Sequence, residues 1–169
     1  MRKLLIIIDM QNDFISGVLG TDQARDVVPK VVKKIKEWNG DILVTLDEHS
    51  YDYSNTLEGK NICKHCMEGT AGCQLDAYVA EALYQKKDEP LIYHKNTFGD
   101  YYLPETIEAD EIEIVGVCTD ICVISNALIL RSRFPNIEIT VDSACCAGTS
   151  PEMHEAALDI MRQCLINVK

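Results

Sequence analysis

This chain reads as a single-domain α/β protein of three layers, α/β/α, around a mostly parallel six-stranded sheet. Two observations predict that class. Apolar, β-branched runs recur six times along the 169 residues, and stretches with helical spacing of apolar residues separate most of them. The length agrees: a chain of this size suits one domain, residues 1–169, whose core buries about 70% of the unfolded surface.

The first run, Lys3 to Ile8, is a strand that stops at Asp9. Its five consecutive apolar residues resemble a secretory signal but are too short for one, so no export is expected and the location is read as cytoplasmic. A helix follows at about Val27 to Trp38, then a strand at Asp41 to Leu46. The irregular stretch Glu48 to Gly72 is long for a compact domain, and loops of that length usually carry function. Gln74 to Gln85 reads as a helix, Leu91 to His94 and Glu111 to Val117 as strands. The helix expected at Asp120 to Arg133 has little polar face, because Ile121, Val123, Ile124, Ala127, Leu128, Ile129 and Leu130 spread around it. It is expected to be buried on nearly all sides, in part by a second subunit of a homo-oligomer. Ile137 to Val141 is the next strand. Ser150 and Pro151 then make a capped start for a helix reaching Gln163, and Leu165 to Val168 is a weak last strand.

Composition narrows the function. Hydrophobic content of 47% and charged content of 25% are those of a globular domain, and no run is long enough to span a bilayer. A formal charge of -11 disfavours nucleic acid and anionic membrane as partners. The eight cysteines, with no export signal, are expected as free thiols. No glycine-rich phosphate loop follows the first strand, since Asp9-Met10-Gln11-Asn12-Asp13-Phe14 contains no glycine, so dinucleotide binding is disfavoured.

In open parallel sheets ligands bind beyond the carboxyl ends of the strands. The residues there are Asp9, Asp47, Lys95, Cys118 to Cys122, and Asp142. An acid, a base and a thiol on one rim point to thiol-based acyl transfer. Two thiols compete for the nucleophile's role: with Thr119 as helix cap, Cys118 falls just outside the helix and Cys122 at the third helical position, mildly favoured because unpaired N–H groups and Lys95 are expected to lower its pKa. Asp9 then takes the proton. The competing reading makes Cys122 a packing residue and Lys95 a solvated strand end.

Ile6-Ile7-Ile8-Asp9-Met10-Gln11-Asn12-Asp13-Phe14, the strand-end Lys95, and Gly116-Val117-Cys118-Thr119-Asp120-Ile121-Cys122-Val123 resemble the three signature segments of the isochorismatase-like cysteine hydrolases. That resemblance implies a catalytic triad of Asp9, Lys95 and Cys122 and a cis bond between Val117 and Cys118. It also implies an oxyanion hole formed by the N–H groups of Cys118 and Cys122.

Asp47-Glu48-His49 places two potential metal ligands two residues apart, and His65 joins them from the long loop. One carboxylate and two imidazoles suit zinc, with manganese or iron as alternatives. Within the family, His65-Cys66-Met67-Glu68-Gly69-Thr70-Ala71-Gly72 together with Asp47 and His49 resembles the nicotinamidase branch. Two positions depart from it. Asn55 stands where some members have a further histidine, and Ile62 stands where an aromatic residue packs on the substrate ring; Phe14 is left to wall the pocket. The expected activity is hydrolysis of a small-molecule amide through a thioester, nicotinamide to nicotinate and ammonia first among candidates, with N-carbamoyl compounds and vinyl ethers as alternatives. A different class of reading takes Cys63-Lys64-His65-Cys66, with Cys73 as a further candidate, as a structural zinc knot in a non-catalytic module. Cys145 and Cys146 read as strand-end packing. His94 is expected to point into the sheet packing, and His154 to lie on a polar helix face.

Overall fold

The computed structural model describes residues 1–169. Ten main elements follow one another: β1 (Lys3–Ile8), α1 (Asn12–Ile15), α2 (Asp22–Glu37), β2 (Asp41–Asp47), α3 (Ala77–Tyr84), β3 (Leu91–Lys95), β4 (Glu111–Val117), α4 (Ile124–Arg133), β5 (Glu138–Ala147) and α5 (Pro151–Gln163), before the two-residue β6 (Asn167–Val168). The six strands form one sheet in the order β3-β2-β1-β4-β5-β6, and every neighbouring pair is parallel. All carboxyl ends therefore lie on one rim.

The period of two along β1 builds both halves of the core. Leu5 and Ile7 pack with Val27, Val31 and Ile35 of α2 and Val79 and Leu83 of α3. Leu4, Ile6 and Ile8 face the other way, onto Ala127 and Leu130 of α4 and Leu158 and Met161 of α5. Each layer of helices thus covers one face of the sheet, the three-layer arrangement expected. Helix α2 starts at Asp22, five residues before the expected Val27, because the Thr21 side chain accepts a hydrogen bond from Ala24 N at 3.0 Å and caps it.

Two expectations are corrected by where the elements sit. β3 is an edge strand, so His94 is exposed and places Nδ1 3.1 Å from Glu48 Oε1 instead of packing into the sheet. β5 does not end at Val141. Its register with β4 slips between the pairs Ile114↔Val141 and Gly116↔Cys146, and the strand runs on to Ala147. Asp142 therefore lies within the strand, 2.7 Å from Lys34 Nζ, away from the rim. On α4, Asn126, Ala127 and Leu130 are buried while Ile124, Leu128 and Ile129 stay half-buried, so this helix is covered on one side only within the chain. Cys145 and Cys146 are both buried, each in a different half of the core. No helix is long and apolar enough to cross a membrane.

Candidate active site

Asp9, Lys95 and Cys122 meet at the rim. Asp9 is the first residue after β1 and adopts a left-handed backbone conformation, φ 49°, which points its carboxylate back over the strand ends. Thr45 Oγ1 donates to Asp9 Oδ1 at 2.6 Å and fixes the carboxylate's rotation. Lys95 is the last residue of β3, two strands away, and its long side chain reaches along the rim past β2. Its Nζ lies 2.6 Å from Asp9 Oδ2, 3.6 Å from Asp47 Oδ1 and 3.8 Å from Cys122 Sγ. All three residues are buried, so their charges act on one another with little screening.

Burial works against the Lys95 ammonium, but Asp9, Cys122 and Asp47 outweigh it and hold its pKa above the ordinary lysine value. Burial also raises Asp9, against the opposing pull of Lys95, making its carboxylate more basic than an exposed one. Cys122 differs from expectation. Burial, and next the charge of Asp9, push its thiol well above the ordinary value, with Lys95 pulling the other way. Its charged neighbours are thus Asp9, able to accept a proton, and Lys95, able to balance charge on the sulfur.

The backbone before Cys122 explains its placement. Gly116 has φ +123°, and a Cβ there would sit 2.1 Å from Ile8 O, so only glycine lets β4 lie this close to β1. The Val117–Cys118 bond is cis, as the sequence resemblance implied. Cys118, rather than Thr119, is the cap, and a π-type turn, Thr119–Val123, leads into α4. The Cys118 amide donates to no other backbone group. Buried Asn126, one turn beyond, donates to Cys122 O at 2.9 Å and Phe98 O at 3.2 Å and accepts from Asp100 N at 3.1 Å. It ties the nucleophile's turn to the loop after β3.

Asp47, His49 and His65 also converge, and they bring Glu58, which sequence reasoning missed. One donor atom from each of the four lies within 4.8 Å of all the others. Gln11 locks the end of β2 by accepting from Asp47 N at 2.8 Å and donating to Asp47 O and Cys73 O, each at 2.7 Å. His65 Nδ1 lies 2.9 Å from Cys63 O, which leaves Nε2 facing the cluster, 3.2 Å from Asp47 Oδ2 and 3.5 Å from Glu58 Oε1. His49 Nε2 lies 2.9 Å from Asp47 Oδ2 and 3.5 Å from Glu58 Oε1, and neither it nor Glu58 Oε1 makes a well-formed hydrogen bond despite being buried. Orphaned, converging atoms of this kind, two imidazoles with two carboxylates, fit a divalent cation. Cys63 is exposed and Cys66 buried, and neither joins the cluster, so nothing here gathers a zinc knot.

A cavity of about 350 Å³ connects the thiol and the cluster. Cys118 and Cys122 line one part, Asp47, Glu58 and His65 another, and Phe14, Ile62, Phe98 and Ile121 form apolar walls. The Phe14 ring stands edge-on to His65, centroids 5.3 Å apart. Phe14 and Ile62 thus sit where expected; Phe98, on a loop of no regular pattern, was not anticipated. A larger cleft of about 620 Å³ at the opposite end of the sheet, beside Trp38 and Lys86, gathers neither a nucleophile nor a donor cluster.

The sequence matches the Isochorismatase domain over residues 3–168. This chain belongs to the isochorismatase family. Bacillus subtilis PncA, an isochorismatase family protein, is 29% identical over 173 residues, covering 94% of this chain and 93% of its own. Schizosaccharomyces pombe nicotinamidase is 26% identical over 204 residues, covering 97% and 91%. The crystal structure of nicotinamidase/pyrazinamidase PncA from B. subtilis matches with a TM-score of 0.88 at 24% identity, over 99% of both chains. Pyrazinamidase of Pyrococcus horikoshii in complex with zinc matches at 0.78 and 23%, over 100% of this chain and 99% of that one. These structural matches establish an isochorismatase fold from one end of the chain to the other.

Proposed function

We propose that this isochorismatase family member is a cysteine-dependent amidohydrolase of nicotinamidase type, cleaving the C–N bond of a small carboxamide to give a carboxylate and ammonia. The observation that carries the reading is Lys95 Nζ, 2.6 Å from Asp9 and 3.8 Å from Cys122, with Cys122 lining a cavity that Asp47, Glu58 and His65 of the four-residue donor cluster also line. The nicotinamidase named among its relatives supports the choice of substrate class.

In this mechanism Cys122 Sγ attacks the amide carbonyl carbon as its proton passes to Asp9. Raised above the usual carboxylate range, Asp9 is suited to hold that proton, and Lys95 balances the charge on the sulfur during transfer. The N–H groups of Cys118 and Cys122 receive the developing oxyanion, a contribution of about 3 kcal/mol per donor. Asp9 then protonates the nitrogen, the C–N bond breaks and ammonia leaves a thioester on Cys122. Water, deprotonated by Asp9, attacks the thioester carbonyl; the C–S bond breaks, the acid departs, and Asp9 returns the proton to sulfur. Phe14, Ile62 and Phe98 hold a flat apolar ring and keep water from its faces. Asp47, His49, Glu58 and His65 would hold a divalent ion, zinc by preference with manganese or iron as alternatives, and the ion would supply Lewis acidity towards a ring nitrogen or similar donor. All eight cysteines are free, in keeping with a cytoplasmic enzyme, and the half-buried Ile124, Leu128 and Ile129 of α4 suit a homo-oligomer.

Ammonia release from nicotinamide, pyrazinamide, N-carbamoyl compounds and aliphatic amides tests the reading. Nicotinamide and pyrazinamide are expected to turn over. Cys122→Ala is expected to lower kcat by at least about 1,000-fold with the far-UV spectrum unchanged. Undiminished turnover by that variant overturns the mechanism; hydrolysis of none of the aromatic amides overturns the substrate.

A further inference from the structure

The turn that carries the nucleophile is held from outside by the segment after β5. Thr119, the first residue of the π-type turn, is completely buried, and its hydroxyl lies 2.8 Å from His154 Nδ1 in the first turn of α5. Asp120, the next residue, accepts from Thr149 N at 2.8 Å and from Thr149 Oγ1 at 2.5 Å. Gly148 allows the approach: a Cβ there would stand 2.9 Å from His154 Cα and from Asp120 Oδ1. Neither Thr119 nor His154 lines the substrate cavity, whereas Cys118, just before the turn, and Cys122, within it, do.

We propose that His154 is a positioning residue for amide hydrolysis, setting through the Thr119 hydroxyl the spacing of the Cys118 and Cys122 N–H groups and the reach of the Cys122 sulfur. The inference rests on the catalytic reading above. Its physical basis is that a π-type turn closes its hydrogen bonds one residue further along the chain than an α-helix and is rare, found mostly as single turns at functional sites. Thr119 is the one polar side chain of this turn with no access to solvent, and His154 is its side-chain hydrogen-bond partner. Nδ1 and the hydroxyl together fix where the turn begins. Oxyanion donors act only when they stand at the position the charged oxygen will occupy, so a displacement of the turn weakens attack while leaving the cavity walls, and hence binding, in place.

Steady-state kinetics on nicotinamide for His154→Ala, His154→Asn, Thr119→Val and the His154→Ala/Thr119→Val double variant test this, with Cys122→Ala alongside. His154→Ala is expected to lower kcat by about 10-fold to 100-fold with KM within about twofold. His154→Asn, whose side-chain amide presents a polar atom near the Nδ1 position, is expected to restore most of the rate. Thr119→Val is expected to match His154→Ala, and the double variant to be no slower than either, because both remove the same link. Wild-type kcat for His154→Ala, a change confined to KM, no rescue by asparagine, or losses that multiply in the double variant each overturn the proposal. If Cys122→Ala remains active the catalytic reading fails instead, which separates the two failures. A loss of folding in His154→Ala, visible in its melting curve, moves the decision to His154→Asn and Thr119→Val, where unequal kcat with equal stability and no Thr119 effect is the overturning result.

Discussion

Glu58 shows how a single residue alters the chemistry of the site. A set of two imidazoles and one carboxylate would leave a bound divalent ion with net positive charge, whereas Asp47 and Glu58 together would neutralise it and add a hard oxygen donor. Glu58→Gln keeps the shape and removes the charge, and the variant is expected to bind zinc or manganese at least about tenfold more weakly, read by competition with a chromophoric chelator. Unchanged affinity would exclude Glu58 as a ligand. Asp47, His49 and His65 were legible because two ligand types stand two apart at a strand end and the third lies in a recognisable segment. Glu58 was not, since an acidic residue in a loop of 25 residues carries no periodic signal, and only the fold of Tyr53, Thr56 and Gly59 around it turns it inward. The Cys122 thiol was misjudged for a related reason: helix position and a neighbouring lysine can be read locally, but burial, the dominant influence here, depends on every element that closes over it.

Between elements, the contact of β1 with β4 decides whether the rim is assembled. Ile8 pairs with Gly116 in register, two residues before Cys118, and the missing side chain at Gly116 sets how closely the strands run. Gly116→Ala forces a Cβ to within 2.1 Å of a backbone oxygen at a φ that alanine rarely adopts. The expected cost is about 3 kcal/mol or more of stability, measured by urea unfolding, together with a loss of activity larger than the instability explains. A fully stable, active Gly116→Ala would mean the strands can separate without disturbing the site. Strand positions were legible here because runs such as Leu4 to Ile8 and Ile114 to Val117 are apolar on both faces, the mark of a covered parallel sheet. Strand order was not, and it alone makes β3 an edge and exposes His94. The continuation of β5 past Asp142 likewise follows from its pairing with β4 and has no local signature.

Across the whole molecule, buried groups that keep their protons tie stability to pH. Six of the eight cysteines, Cys66, Cys73, Cys118, Cys122, Cys145 and Cys146, have pKa values raised first by burial, Cys73 and Cys145 to about 11 and Cys118 to about 12. In the unfolded chain a cysteine releases its proton near pH 8.5. For a folded pKa above the unfolded one, the folded state binds more protons at intermediate pH, so the stabilisation is complete below the unfolded value and lost as pH rises towards the folded value. Lys34 adds to the trend at higher pH. Burial disfavours its charge, but hydrogen bonds to Asp142 and Glu113 prevail and raise its pKa, so its contribution declines above about pH 10.5. Unfolding in urea with a thiol reductant present, at steps from pH 7 to pH 10.5, is expected to show a midpoint that falls continuously from about pH 8.5, well before lysine titration. Cys145→Ala, which removes one such thiol from the core behind β5 and leaves the rim intact, is expected to make that fall shallower even where it lowers stability at pH 7. A midpoint that stays level to pH 10, or an unchanged slope in Cys145→Ala, would show that these thiols titrate in the folded protein as they do in the open chain.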